Sequence, residues 1–385
     1  MEIQTVNTHL VGTPAPHKGG HNFLFVELKT DDGLVGFGEC PWIEFRSQTT
    51  RSLIEELKEG FVIGSSPFEI ESLRQRLYQS NHMLNVPGPL QSQVIAGIEI
   101  ACWDLIGKYV EEPIYSLLGG KFNDQIRCYT YLHYEWEPPE SPEIAAEAAL
   151  KYFNQGFTGI KLDPIPPYEG PRPLSLRELN YAENVIKEIR NTVGDECDII
   201  LGTHGQLTPA DAIKFAHRLE PYNPLWLEEP IPAERPDKMA TVAEATEIPI
   251  ATGERLTTIH QFAELFELDA VDIIQPNLGL VGITGAKKIA GMAEANYAFI
   301  APWLYSGPIL WAANLQFGAS TPNFLIQESI ERWEGFHAQI VHDTPNWENG
   351  YIEPPSDPGL GVELDTTAIK EYPPNVVSPT EFAWF

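Results

Sequence analysis

The chain is short of positive charge: 25 lysines and arginines stand against 54 aspartates and glutamates, a formal net charge of −29. A surface of that sign repels phosphate backbones and acidic lipid, which excludes nucleic acid and anionic membrane as partners. Cysteine is scarce as well. Cys40, Cys102, Cys128 and Cys197 lie far apart with no CxxC spacing, which excludes a zinc knot or a disulfide frame and fits free thiols in a reducing compartment. No apolar run approaches the roughly 20 residues a bilayer requires. The opening MEIQTVNTHLVG lacks the basic head and apolar stretch of a signal peptide, so a cytoplasmic location is expected. GERL, GLVG and LLGG contain glycine but form neither GxGxxG nor a Walker loop, so no nucleotide cradle is written here. The acidic residues are spread over helix-like stretches such as 51–60 and 142–151 instead of one tail. They read as a solvated acidic shell or, more sharply, as adaptation to high salt, where screening relieves self-repulsion.

What is present suits one large domain and a smaller one: 385 residues, 43% hydrophobic and 11% aromatic. IQTVNTHLVG, NFLFVELKT and LVGFGEC read as antiparallel strands, the last two joined at DDG. RSLIEELKEGFV, FEIESLRQRLYQ and SQVIAGIEIACWDLIGKYV follow with helical spacing, and LLGG supplies a glycine stop. Residues 1–122 are therefore expected to form an α+β module. From 123 to 330 strand-like and helix-like segments alternate. Six apolar runs end in polar or ionisable residues about every 25 positions: GIKLD, IILGTHG, PLWLEEP, IPIATGER, AVDIIQPN and FLIQES, with FIAPWLY splitting the last interval. That period holds one strand, one helix and two short loops. A parallel barrel so built gathers its strand ends on one face, where such barrels keep their chemistry. The tail, 331–385, is rich in proline and aromatics and is expected to pack back on the first module.

The strand ends carry the candidates. Glu228 and Glu254 close neighbouring strands, and two carboxylates facing one mouth need protons or a cation between them. Magnesium, a hard ion that prefers oxygen, is the expected cofactor, the competing reading being that one of them forms a buried ion pair with Arg255 or a lysine. Glu229, the next residue, is turned away by strand alternation. Lys161 ends the second strand with Asp163 on the same side; close to a metal and poor in water, its pKa is expected to be drawn down toward that of a usable base. The alternative is a lysine that only binds a substrate carboxylate. His204 ends the third strand as a general acid, a metal ligand or a packed polar residue, filling space that a side chain at Gly202 would take. His133, ending the first strand, is a weaker candidate of the same kind. Glu328, protonated, would donate to a developing oxyanion. Asn277, Trp303 and Tyr305 end the sixth and seventh strands and offer binding or a phenolic hydroxyl.

With GIEIACWDLIGK, LLGG, GIKLD, WLEEP, ATGER, VDIIQPN and FLIQES, the chain resembles the enolase superfamily over nearly its full length, specifically the mandelate racemase-like group with its acid-sugar dehydratases. The resemblance implies a modified (β/α)8 TIM-type barrel under an N-terminal α+β cap and one magnesium ion. It also implies removal of the proton α to a substrate carboxylate to give a metal-stabilised enediolate. Glu228 and Glu254 correspond to the second and third metal ligands, Lys161 to the second-strand base, and Glu328 to the residue that stabilises the intermediate. His204 corresponds to a third-strand histidine that in some sugar-acid dehydratases helps expel the β-hydroxyl. The chain departs from the pattern where the first ligand, usually aspartate, is Gly202. It departs again where the sixth-strand aspartate is Asn277 and the seventh-strand histidine is Trp303. Asp163 stands where racemases of the group carry a second lysine. Losing the His–Asp pair removes the second base of a symmetric racemisation, whereas dehydration survives if Lys161 takes the proton and His204 or Tyr305 gives one back; His204 as replacement metal ligand would not be free to act as acid. The expected activity is a magnesium-dependent lyase that dehydrates a sugar acid. The alternatives are a one-base isomerase, epimerase or cycloisomerase on a carboxylate, and a binding homologue that has lost catalysis. Asp163, His133, Asn277 and Trp303 are the expected substrate contacts, the partner is a small carboxylate, and a homo-oligomer is expected.

Overall fold

The computed structural model describes residues 1–41, 46–80, 88–132, 141–165, 171–330 and 332–377. The N-terminal part opens with β1 (Ile3–Gly12), β2 (Asn22–Thr30) and β3 (Val35–Cys40), an antiparallel meander in that order, as the alternation in sequence implies. Helices α1 (Ser47–Leu57), α2 (Ile70–Tyr78) and α3 (Pro89–Val110) cover it. α3 is buried on almost all sides, because it packs on β3 and on the barrel helix Leu278–Ala295. A helix so placed needs an apolar circumference in place of a stripe. α4 (Ile114–Leu117) ends this section at Gly119 and Gly120, both with positive φ.

Eight strands follow: β4 (Ile126–Tyr131), β5 (Gly159–Leu162), β6 (Asp198–Gly202), β7 (Trp226–Glu228), β8 (Ile250–Thr252), β9 (Ile273–Ile274), β10 (Phe299–Ile300) and β11 (Gln327–Ser329). They pair in parallel from β4 through β10. β11 pairs back on β4, and a bridge from Ile300 to Phe324 links β10 to the segment leading into β11. Between them run α5 (Pro142–Asn154), α6 (Leu176–Val193), α7 (Pro209–Leu219), α8 (Pro236–Glu244), α9 (Ile259–Glu267), α10 (Leu278–Ala295) and α11 (Pro308–Ala319). The arrangement is the expected modified TIM-type barrel. Its eighth strand leads to the single turn α12 (Phe336–Gln339) and to the hairpin β12 (Trp347–Glu348) and β13 (Tyr351–Ile352), whose second strand lies antiparallel on β4.

Local sequence sets the helix starts. Ser175 with Glu178 and Thr258 with Gln261 form capping boxes, Thr208 caps α7, and α5, α7, α8 and α11 each carry proline in the first turn. The barrel interior is filled by Tyr129, Ile200, Trp226, Ala251, Ile273, Ala301 and Ile326, so it is a packed core with its chemistry confined to the mouth. Among the described residues no helix is long and apolar enough to cross a membrane.

Buried carboxylates fasten the N-terminal part to the barrel, and nothing in the periodicity announces them. Glu39, fully buried, accepts from Ser306 Oγ at 2.6 Å and from the backbone N–H groups of Gly307 and Leu310 at 2.5 and 2.9 Å, capping α11 from outside its own segment. Glu99 does the same inside α10, where Gly282 (φ 72°) breaks the helix and Ile283 and Thr284 each donate at 2.8 Å. Asp104 accepts from Phe37 and Leu360, tying β3 and the tail to α3. The tail also reaches β1 and β2, through Gly12 to Tyr372 and through Asn375 to Asn22. Glu39→Ala would strand three buried donors and is expected to cost about 3 kcal/mol and lower Tm by about 5 °C. Calorimetry checks this, and an unchanged melting curve would refute the clamp.

Candidate active site

Parallel pairing brings Lys161, Asp163, His204, Glu228, Glu254 and Glu328 to the strand-end face. β5, β6 and β7 are in register, with Lys161 beside Ile200 and Gly202 beside Glu228. Lys161, 2% exposed, forms a tight ion pair with Glu228 Oε1 and lies 3.4 Å from Glu328 Oε1. Glu228 is held on its other oxygen by Gln275 Nε2 at 2.7 Å and Trp226 Nε1 at 3.1 Å. Glu328 Oε2 accepts the backbone N–H of Leu304 at 2.7 Å. Gln275 and Trp226 were not singled out from sequence, although each lies two residues before a candidate and so points the same way along an extended segment.

Charge follows from this packing. Burial would draw the Lys161 ammonium down, but Glu228 and Glu328 outweigh it and hold its pKa well above the ordinary lysine value. The expected downward shift is thus reversed while the site's own charges act alone. Burial pushes Glu228 up, yet Lys161 holds it below the usual carboxylate range. Glu328 is raised, by burial first, with Lys161 opposing and Glu228 adding. Glu254 is pushed up to about 7 by burial and by the charge of Glu228.

Glu254 Oε2 is buried without a hydrogen-bond partner, while its Oε1 lies 3.4 Å from Arg255. Arg255 makes its close ion pair with Glu229, which is buried and left-handed (φ 43°). Among the described residues no three His, Cys, Asp or Glu side chains are gathered at metal-binding spacing. Glu228 and Glu254 nevertheless fit a magnesium ion, which is commonly held by one or two carboxylates and completes its shell with water and substrate oxygens. The partnerless oxygen of Glu254 is the observation behind that fit.

His204 lies 2.9 Å through Nδ1 from Asp163 Oδ2. Burial pulls the imidazole down, but Asp163 outweighs it and holds the pKa above the ordinary value; reciprocally, burial raises Asp163 and His204 brings it below its ordinary value. The space beside Gly202 is filled by Asp163, not by His204 as expected, because the Asp163 carboxylate leans across from β5. Asn277 is buried and uses its side-chain oxygen to cap α10 through Gly279 N at 2.9 Å, so a helix start claims the atom expected to face substrate. Trp303 is half-buried. Tyr305 hydrogen-bonds the backbone of Gly19 in the N-terminal part; burial raises its hydroxyl pKa and this bond opposes the rise. His133 lies outside the described residues.

Comparison with known proteins agrees with this architecture. Residues 6–119 match the family model "Mandelate racemase / muconate lactonizing enzyme, N-terminal domain", and residues 143–368 match "Enolase C-terminal domain-like". The chain is 33% identical over 381 residues to the D-xylonate dehydratase of Haloferax volcanii, covering 96% of this chain and 89% of the relative. A crystal structure from Labrenzia alexandrii, provisionally named a mandelate racemase/muconate lactonizing enzyme, superposes with a TM-score of 0.95 at 42% identity, covering 98% of this chain and 97% of that one. One from Salmonella enterica, provisionally named a dehydratase, gives 0.90 at 30% identity, covering 98% and 100%.

Proposed function

The chain belongs to the enolase superfamily, in its mandelate racemase and muconate lactonizing enzyme group, and on that footing we propose that it is a lyase that dehydrates a sugar acid with magnesium. The observation that carries the reading is a buried ammonium, Lys161, set between Glu228 and Glu328 at the barrel mouth, with the partly unbonded carboxylate of Glu254 beside them. The dehydratase relatives give the reaction class its support.

Glu228 and Glu254 would hold the magnesium, which supplies positive charge against the negative charge that develops on the substrate carboxylate. Lys161 takes the proton from the carbon next to that carboxylate once its own proton has been given up. In the structure Glu228 and Glu328 outweigh burial and hold Lys161 protonated; a cation held by Glu228 and Glu254 would offset the carboxylate charge that keeps this proton, leaving burial to favour the neutral amine. His204 donates a proton to the hydroxyl on the following carbon, which departs as water. The resulting enol becomes a 2-keto-3-deoxy acid. Glu328, raised toward its neutral form, can donate a hydrogen bond to the developing oxyanion.

The test is a panel of aldonates led by D-xylonate, incubated with magnesium and scored for 2-keto acid as the semicarbazone. At least one member is expected to be turned over, and only when magnesium is added. Silence across the panel would refute the dehydratase, and exchange of the α-proton for deuterium without keto product would make the enzyme an isomerase.

A further inference from the structure

Leu162 pairs with Leu201 across β5 and β6, so Asp163 and Gly202 are the next pair along the same two strands. A methyl group built on Gly202 would run into Asp163 Oδ1 and lie 3.4 Å from Lys161 Cε. The Asp163 carboxylate therefore occupies the volume that any third-strand side chain at 202 would need, and it is itself only 3% exposed. Its second oxygen lies 2.9 Å from Nδ1 of His204. His204 has φ 49°, a left-handed conformation that non-glycine residues seldom adopt and that costs of order 1 kcal/mol or more. Backbone strain, a missing side chain and a buried carboxylate thus meet at one ring.

We propose that Gly202 and Asp163 are a matched pair: the bare position at 202 admits Asp163, and Asp163 holds the Nδ1–H side of His204, so that the imidazolium gives its Nε2 proton to substrate and the neutral ring left behind keeps its proton on Nδ1. Asp163 is then a positioning residue. An imidazole whose Nδ1–H is donated to a carboxylate has one defined tautomer when neutral and one defined orientation in either charge state. The chain carries Asn277 and Trp303 after its sixth and seventh barrel strands, and it sets an aspartate–histidine pair after the second and third. The role in proton transfer rests on the dehydratase reading, whereas the tautomer does not.

The deciding measurement is two-bond 1H–15N correlation on protein labelled at histidine, without added metal, with His204 assigned by its loss in His204→Gln. The wild-type ring is expected to show a protonated Nδ1 and a low-field Nδ1–H. Asp163→Asn and Gly202→Ala, the second of which evicts the carboxylate without altering it, are each expected to abolish that proton and move the ring toward the Nε2–H form. With D-xylonate as probe, both variants are expected to lose about 100-fold or more in kcat while KM stays within about threefold. A purely structural Asp163 would lower Tm and leave the ring spectrum as it was. An Nδ1–H signal that persists in both variants overturns the proposal. An inert substrate panel overturns the dehydratase reading, and the ring spectrum still decides the matched pair.

Discussion

Lys161→Met is expected to lower kcat by about 10³-fold, within the range for loss of a positioned base, and to abolish α-proton exchange along with product formation. Loss of exchange identifies the residue as the base; a lysine that merely bound the substrate carboxylate would raise KM and leave exchange running at saturating substrate. The same substitution removes the ammonium that faces Glu228 and Glu328, both buried. Breaking a buried pair from one side costs about 3 kcal/mol or more, so Tm at neutral pH should fall. The pH dependence follows from Glu228, whose folded pKa is depressed by Lys161 below its ordinary value of 4.5. A depressed carboxylate contributes stability above the unfolded pKa and loses it as pH falls through the folded one. The gap in Tm between wild type and Lys161→Met is therefore expected to be widest near neutrality and to close below about pH 4. A gap that widened on acidification would contradict the pairing.

Glu254→Gln is expected to abolish stabilisation by magnesium. A ligand present at 100 times its Kd stabilises the native state by about 2.7 kcal/mol, and the wild-type melt should shift upward on that scale while the variant's does not. The pH dependence again has a defined sign. The Glu254 carboxyl, pushed up to about 7 by burial and by Glu228, is partly protonated in neutral solution. Cation binding must expel that proton, so affinity should weaken as pH falls through about 7 and binding should release protons to the buffer. Calorimetric titration in two buffers of different ionisation enthalpy reads both effects. Magnesium affinity independent of pH between 6 and 8 would refute the assignment.

The strand ends were legible because a barrel forces periodicity on its sequence: each apolar run finishes on the residue that faces the mouth, so Lys161, His204, Glu228, Glu254 and Glu328 could be named in advance. The meander and the helical cover in the first 122 residues were legible for the same reason, through alternation and three- and four-residue spacing. What the sequence could not carry were relations between strands. That Asp163 fills the volume at Gly202 depends on parallel register between β5 and β6. That Lys161 is held charged depends on Glu228 and Glu328 converging on it from β7 and β11, and no local rule brings those distant segments to one amine. Asn277 follows a strand, which in sequence points it to substrate, yet it also caps α10 and gives its side-chain oxygen to that cap. Glu39 and Glu99 escaped notice because a buried carboxylate that caps a distant helix looks, in sequence, like any other acidic residue.

The central claim is that Glu228 and Glu254 share one divalent cation beside Lys161, and diffraction from a manganese-soaked crystal at the metal's absorption edge tests it most directly. The expected result is a single anomalous peak within about 2.5 Å of an oxygen from each carboxylate. No peak there, with Glu228 still paired to Lys161 and Glu254 still leaning on Arg255, would contradict it.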